Sequence, residues 1–394
     1  MGERMRVLTV LGTRPEIIKL APVVRQLSSL PESFQSIVCA TGQHGELAKL
    51  ALPAFGMAPD YNLRPTRRSG DLAALTAATL SGLDDVLADC SPDLVLVQGD
   101  TTSALCGALA ASYRGLRIGH VEAGLRTGNP AAPFPEEINR SLIGRLAHLH
   151  FAPTEVARAC LLVEGVDGET VYVTGNTGID TLFEVLSKLD ERPPPGLSAT
   201  RCAALAGHPL VLITCHRRES LGGTLRAICR GIRRAAEAHP EARFIWPLHP
   251  NPAVGEAANE LLGRLPGVDL LAPLPYASFV WLMARATVIV TDSGGVQEEA
   301  PALGKPVLVL RQQTERQEGV EAGTARLIGT EAGNIAFEIG RLLDDAGVRQ
   351  AMALRHNPYG DGHAAQRIVE ILAAHWPWPG SARREPVGIP GRAT

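Results

Sequence analysis

The stretch His120 to Arg140, HVEAGLRTGNPAAPFPEEINR, holds the densest set of groups able to move protons. Glu122 follows an apolar run and precedes Gly124, and Glu136 follows Pro135, a residue type suited to opening a helix. Asp100, at the end of VLVQGD, is a third acid. Carboxylates brought to one pocket can divide acid and base work when their surroundings push their pKa values apart. Two of the three have plainer readings. Glu136 would pair with Arg140 one helical turn on, and Asp100 would cap a helix. Glu122 has no equivalent, because a charge between Val121 and Ala123 lies on no amphipathic face.

A second set suits an anion. In Thr287 to Pro306, TVIVTDSGGVQEEAPALGKP, an apolar strand at Val288 to Thr291 breaks at Asp292, Ser293, Gly294 and Gly295 before a helix expected over Val296 to Leu303. Glycines there let the backbone approach a ligand, and free amides at the helix start would face a phosphate. Glu298 and Glu299 are expected in the first turn, where a carboxylate suits the helix dipole or accepts hydrogen bonds from ribose hydroxyls. His216, followed by Arg217 and Arg218, is a group fit to meet phosphate oxygens. Cys215 beside it does not make a Cys–His nucleophile, since neighbours on an extended chain point in opposite directions.

Such groups act together only if the chain delivers them to one place. Met5 to Gly12 reads as an apolar strand running into Thr13 and Arg14, with a helix from Pro15 to about Leu30. Further strands are expected near 36–41, 93–98, 117–121, 148–152 and 170–174, alternating with helices. This is the pattern of an α/β fold with a doubly wound parallel sheet, whose ligands sit beyond the carboxyl ends of the strands. Arg14, Lys19, Gln43, His44, Asp100 and Glu122 all follow such ends. The proline-rich ERPPPGLSAT, residues 191–200, has no apolar period and reads as a linker. A second strand series near 208–214, 243–248, 268–271, 288–291 and 307–310 follows, and then a polar loop carrying Arg316. The expected organisation is therefore one Rossmann-like domain over 1–190, a second over 201–375, and a flexible tail over 376–394, with a ligand in the cleft between the two sheets.

Length and charge agree with this. A chain of 394 residues exceeds what one core usually serves, and a formal charge of −3 gives no electrostatic reason to expect nucleic acid or an anionic membrane as partner. No apolar run approaches the ~20 residues needed to span a bilayer, and the start is a charged tip leading into a strand, so a cytoplasmic protein is expected. Seven cysteines without a Cys-x-x-Cys pair fit reduced, buried thiols. His148 and His150 alternate along a strand and suit packing better than metal ligation.

Together the motifs resemble the non-hydrolysing UDP-N-acetylglucosamine 2-epimerase family along nearly the whole chain. The matching pieces are GTRPE (12–16), Lys19, QGDTT (98–102), GHVEAGLRTG (119–128), PFPEEINR (133–140), TGNTGID (174–180), HRRES (216–220), PLHPNP (247–252), TDSGGVQEEAP (291–301), TER (314–316) and NPYGDG (357–362). The resemblance implies a glycosyltransferase-B architecture with an inter-domain active-site cleft, a last helix packing back on the first domain, and a homodimer. It implies interconversion of UDP-GlcNAc and UDP-ManNAc with no metal and no nicotinamide or other cofactor. The absence of a Gly-x-Gly-x-x-Gly fingerprint and of an Asp-x-Asp pair agrees with that.

By the same resemblance the first domain carries the acids and the second binds UDP. Asp100, Glu122 and Glu136 are the candidates for proton transfer, Glu122 foremost, with His216 as an acid near the diphosphate. Arg14, Lys19, His216, Arg316 and the amides of Ser293, Gly294 and Gly295 fall on the UDP, Glu299 on the ribose and Phe279 near the uracil. A second UDP-GlcNAc, acting as effector, would meet Gln43, Glu136, Arg217 and His249. The chain departs from the family pattern at Gly45 and Glu46 and in the stretch 64–68, which counts against effector activation, and at Cys215 and Leu274, where altered packing is expected. The rival readings are a hydrolysing epimerase that releases ManNAc and UDP, a nucleotide-sugar transferase of the same architecture, and a catalytically silent nucleotide-sugar binder.

Overall fold

Short β-branched runs that are apolar on both faces can be buried only in a sheet covered on both sides, and these runs become the strands of two parallel sheets. The computed structural model describes residues 4–43, 52–64, 71–189, 194–217, 220 and 222–377. His44, Gly45, Glu46, residues 65–68, Arg218, the first residues of the expected linker and the tail beyond 377 lie outside the described residues.

In the first sheet, β1 (Met5–Leu11), β2 (Phe34–Ala40), β3 (Tyr61–Asn62), β4 (Leu94–Gln98), β5 (Arg117–Val121), β6 (Leu149–Ala152) and β7 (Val171–Val173) run in the order β3-β2-β1-β4-β5-β6-β7. In the second, β8 (Leu210–Thr214), β9 (Arg243–Pro247), β10 (Val268–Leu271), β11 (Val288–Thr291), β12 (Val307–Val309) and β13 (Ala325–Leu327) run β10-β9-β8-β11-β12-β13. Every pairing is parallel, and both sheets reverse direction beside their first strand, between β1 and β4 and between β8 and β11. This is the expected pair of doubly wound Rossmann-like sheets. Two strands were not anticipated. β3 is two residues long, and β13 is three residues with Arg326 at its centre, so neither carries an apolar run.

Each sheet is sandwiched by helices. Ile17, Leu20 and Val24 of the helix Arg14–Ser28 pack under β1, and Ile228, Ile232 and Ile335 pack against β8 and β11 with Phe244 and Trp246 of β9. The first helix thus ends two residues before the expected Leu30. Cys39, Cys90, Cys106, Cys215 and Cys229 are buried thiols. Ser198 caps a helix over Ala199–Leu205, so the far end of ERPPPGLSAT is already helical. Among the described residues no helix is long and apolar enough to cross a membrane.

The two lobes are tied together by the last described helix, Ala364–Ala374. Its Ala365, Ile368, Val369 and Leu372 join the core under β1, against the helix Arg14–Ser28. Full burial of side chains such as Ile368 and Leu372 contributes roughly 1.5–3 kcal/mol each. The helix has no cap of its own, because His363 makes no side-chain cap hydrogen bond. Asp180, in the helix Thr177–Lys188, supplies it from the first lobe by accepting from the amides of Ala364 at 3.2 Å and Ala365 at 2.8 Å. Beside it, Gly175 and Gly360 let two backbones close up, with Asn176 donating its amide to the Tyr359 carbonyl at 2.8 Å. Asp180→Ala is expected to destabilise this crossing by about 1–2 kcal/mol. Hydrogen exchange of the Ala364–Ala374 amides should then quicken by roughly five- to thirtyfold, and unchanged exchange would remove Asp180 as the clamp.

Candidate active site

The loops after β1 and β4 are built around one buried carboxylate. Glu16 accepts from the amides of Gly12 at 3.0 Å and Thr13 at 2.7 Å, and from the Thr101 hydroxyl at 2.7 Å. Burial pushes its pKa up to about 7 despite these hydrogen bonds. Glu16 fixes the start of the first helix, with Arg14 exposed at its tip and Lys19 one turn further in. Gln43 is held within its own lobe, accepting from the Ser103 amide and hydroxyl.

Glu122 closes β5 with φ +62°, a left-handed conformation that a residue with a Cβ rarely adopts. The next turn needs Gly124, at φ +92°, since a Cβ there would run into the Ala157 carbonyl. The Glu122 carboxylate is buried, accepting from Gln98 on one oxygen and pairing with Lys19 on the other. Asp100 is not the helix cap. Thr101 caps the helix Thr102–Tyr113 instead, leaving Asp100 to pair with Arg140 at 2.6 Å. Arg140 reaches that loop and Glu137, at 3.4 Å, so the expected Glu136–Arg140 pair is not formed. Glu137 also accepts from the amides of Thr127 and Gly128 at 2.9 Å and holds the preceding loop. Glu136 opens its helix half-buried, with no hydrogen-bond partner for its carboxylate among the described residues.

Across the cleft, the helix begins earlier than its sequence suggested. Ser293 is its N-cap, and the helix spans Gly294–Ala302. The two glycines are therefore its first turn, with their amides unengaged by the helix, and Glu298 and Glu299 fall in the second turn. Gly294 lies against Arg316, and a Cβ there would come within 2.9 Å of the guanidinium carbon. Glu298 holds Arg316 at 2.8 Å and reaches into the first lobe to Lys19 at 3.1 Å and Asn176 at 2.7 Å. Burial alone would raise the Glu298 pKa, but Lys19 and Arg316 hold it well below the usual carboxylate range. Arg316 also pairs with Glu315 at 2.6 Å, which in turn holds Arg217 and Arg311.

Asp292 is fully buried between β8 and β11. It accepts from the amides of His216 and Arg217 at 2.9 Å, from the Ser220 hydroxyl at 3.0 Å and from His216 Nδ1 at 3.1 Å. His216 is thereby oriented, with Nε2 the nitrogen left for a ligand, and its ring stacks on His249 at 5.7 Å. Burial and then the His216 and Arg14 charges lower the His249 pKa. Burial and Asp292 push the Cys215 thiol up, the opposite of a reactive thiolate. Glu299 is buried and accepts from the Tyr276 hydroxyl at 3.0 Å, and burial raises its pKa to about 8. Phe279 is half-buried on the same helix as Tyr276, whose ring meets Phe55 of the first lobe at 5.6 Å.

Lys19, Glu122 and Arg316 thus meet in one buried ionic group, with His216 and Arg217 organised by Asp292 and Asp100 by Arg140. The unforeseen members are Glu16, Gln98, Glu315 and Tyr276. Glu298 was visible only as half of an acidic pair. A helix that must bury both of its neighbours, Gln297 and Glu299, is the signal that could have marked it.

A sequence profile of the family described as UDP-N-acetylglucosamine 2-epimerase matches residues 27–373. The UDP-N-acetylglucosamine 2-epimerase of Salmonella typhimurium is 46% identical over 373 residues, covering 94% of this chain and 99% of that one. Its counterpart in Escherichia coli strain K12 is 47% identical over 370 residues, covering 93% and 98%. The crystal structure of the Neisseria meningitidis UDP-GlcNAc 2-epimerase bound to UDP-GlcNAc superposes with a TM-score of 0.86 at 43% identity, over 94% of this chain and all of that one.

The Glu299 pKa makes a signed prediction. A carboxyl raised from 4.5 to about 8 keeps its proton in the folded state while the unfolded chain has lost it, so stability falls as pH rises through that window. Glu299→Gln stays neutral and escapes the fall. The variant's melting temperature should exceed that of the wild type at pH 9, with the gap closing towards pH 4.5; a gap independent of pH would exclude a protonated Glu299.

Proposed function

The chain belongs to the UDP-N-acetylglucosamine 2-epimerase family, and from that premise we propose that it interconverts UDP-GlcNAc and UDP-ManNAc by the non-hydrolysing route. The hydrogen on carbon 2 of an acetal sugar has no neighbouring carbonyl to acidify it. Breaking the bond from C1 to the UDP oxygen gives the ring oxocarbenium character, which does acidify it. A base takes the C2 proton as UDP departs, leaving 2-acetamidoglucal; UDP then re-adds at C1 while an acid protonates C2 on the other face. Each step conserves its proton and its leaving group, and nothing in it calls for a metal or a nicotinamide.

The observation that carries this reading is Glu122, a buried carboxylate in strained left-handed backbone, held by Gln98 and Lys19 beside Arg316 of the other lobe. Strain kept at the end of a central strand marks a position fixed for use. Asp100, oriented by Arg140, and Glu136 are the other proton carriers in the proposal. Arg14, Lys19, Arg316, His216 and the Ser293 to Gly295 amides receive the diphosphate, so the same contacts that bind UDP stabilise it as it leaves. Glu299 takes the ribose and Phe279 the uracil. In this reading residues 1–190 supply the proton carriers and residues 201–375 the nucleotide site. The protein works as a cytoplasmic homodimer, and a second UDP-GlcNAc at Gln43, Glu136, Arg217 and His249 acts as its effector.

Incubation with UDP-GlcNAc in deuterium oxide, followed by NMR, tests the proposal. Deuterium should appear at C2 of both UDP-GlcNAc and UDP-ManNAc, with no free ManNAc, and Glu122→Gln should lower kcat/KM by about 10²- to 10⁴-fold. Accumulation of ManNAc and UDP would establish the hydrolysing reaction instead, and an unexchanged C2 hydrogen would reduce the protein to a binder.

A further inference from the structure

The cations assigned to the diphosphate are already shared among carboxylates. Lys19 Nζ lies between Glu122 and Glu298, and Arg316 lies between Glu298 and Glu315. All five side chains are at most 12% exposed. A diphosphate brings two or more further negative charges into this group. It can draw Lys19 and Arg316 towards itself only if the carboxylates they leave find other cations or become neutral, because an isolated buried charge is strongly disfavoured.

The three carboxylates differ in what remains to them. Glu315 keeps Arg217 and Arg311. Glu298 keeps the Asn176 amide and stays within reach of Arg316, which can hold a phosphate oxygen on one edge and Glu298 on another. Glu122 keeps only the neutral Gln98 amide, since its single direct ion pair among the described residues is Lys19. The groups facing it are Lys19 from the first helix, Gln98 from the end of β4, Glu298 from the helix Gly294–Ala302, and Arg316 from the loop before Gln317. Once Lys19 turns away, the charges left facing it are the Glu298 carboxylate and the Arg316 guanidinium, and the diphosphate draws on the latter as well.

Building on the proposed epimerase reading, we propose that binding of the nucleoside diphosphate draws one proton from solvent onto Glu122, so that Glu122 enters the reaction as a carboxylic acid. Burial already raises the proton affinity of Glu122, against the opposition of Lys19 and, behind it, Arg316, while Glu298 adds to it. Removing Lys19 takes away the larger of the two opposing charges and leaves both raising effects in place.

Proton uptake on UDP binding is measurable without turnover. Titrations of UDP into the full-length protein at pH 8.0, in buffers of different ionisation enthalpy, should give uptake of about one proton per site. UDP affinity should weaken by about tenfold per pH unit where the unbound site is ionised and the complex is not. In E122Q the uptake should vanish and the affinity should stay level between pH 7 and 9, while D100N should keep the uptake. Wild-type binding with no uptake overturns the proposal, and needs no variant to fold. So does uptake that persists in E122Q, or that persists there and disappears in E299Q, which would move the proton to the Tyr276-bound carboxyl. A missing C2 exchange alongside proton uptake would sink the epimerase reading and leave this one standing as a property of nucleotide binding.

Discussion

Glu298 is a single buried carboxylate that three elements from two lobes depend on at once. Lys19 reaches it from the first helix, Asn176 from the loop after β7, and Arg316 from the loop after β12. Taking these charges out of water is costly, and only complete pairing offsets it. The carboxylate therefore acts less as a source of stability than as a constraint on arrangement: with any partner misplaced, a bare charge would be left inside the protein. The relative setting of the cleft walls follows from that requirement, as do the positions of Lys19 and Arg316.

Around this point the backbone makes room where side chains cannot. Gly294 lets Arg316 lie against the start of a helix, Gly124 lets the chain turn beneath Glu122, and Gly119 spares β5 a Cβ that would sit 2.6 Å from a Leu96 methyl. Asp292 plays the matching role in the second lobe, where four hydrogen bonds from three residues gather His216 and Arg217 into one rigid corner.

How much of this was readable in the residues depended on whether a feature is local. The parallel sheets were, because each central strand is a continuous apolar run with a turn after it. Glu122 was, because a charge amid small apolar residues has no local excuse. The partners of Asp100 and Glu136 were not: Thr101 takes the cap, and Glu137 rather than Glu136 faces Arg140. Which of two adjacent acids faces inward depends on where a helix starts to within one residue, the least certain feature of any sequence reading. The same one-turn uncertainty concealed Glu298. Lys19 could be matched to a phosphate from its motif, but no local pattern reveals that it touches a residue 279 positions away.

The final helix returns to the first lobe and completes its core beneath β1, next to the helix that carries Arg14 and Lys19. The two halves are consequently not interchangeable cassettes. Severed at the connecting segment, the leading fragment would present a bare greasy trough behind its own phosphate-facing helix, and the trailing one would drag an orphaned apolar strip. Any lineage that recombined these halves with foreign ones would have to carry that short terminal piece along with the half it does not adjoin in sequence.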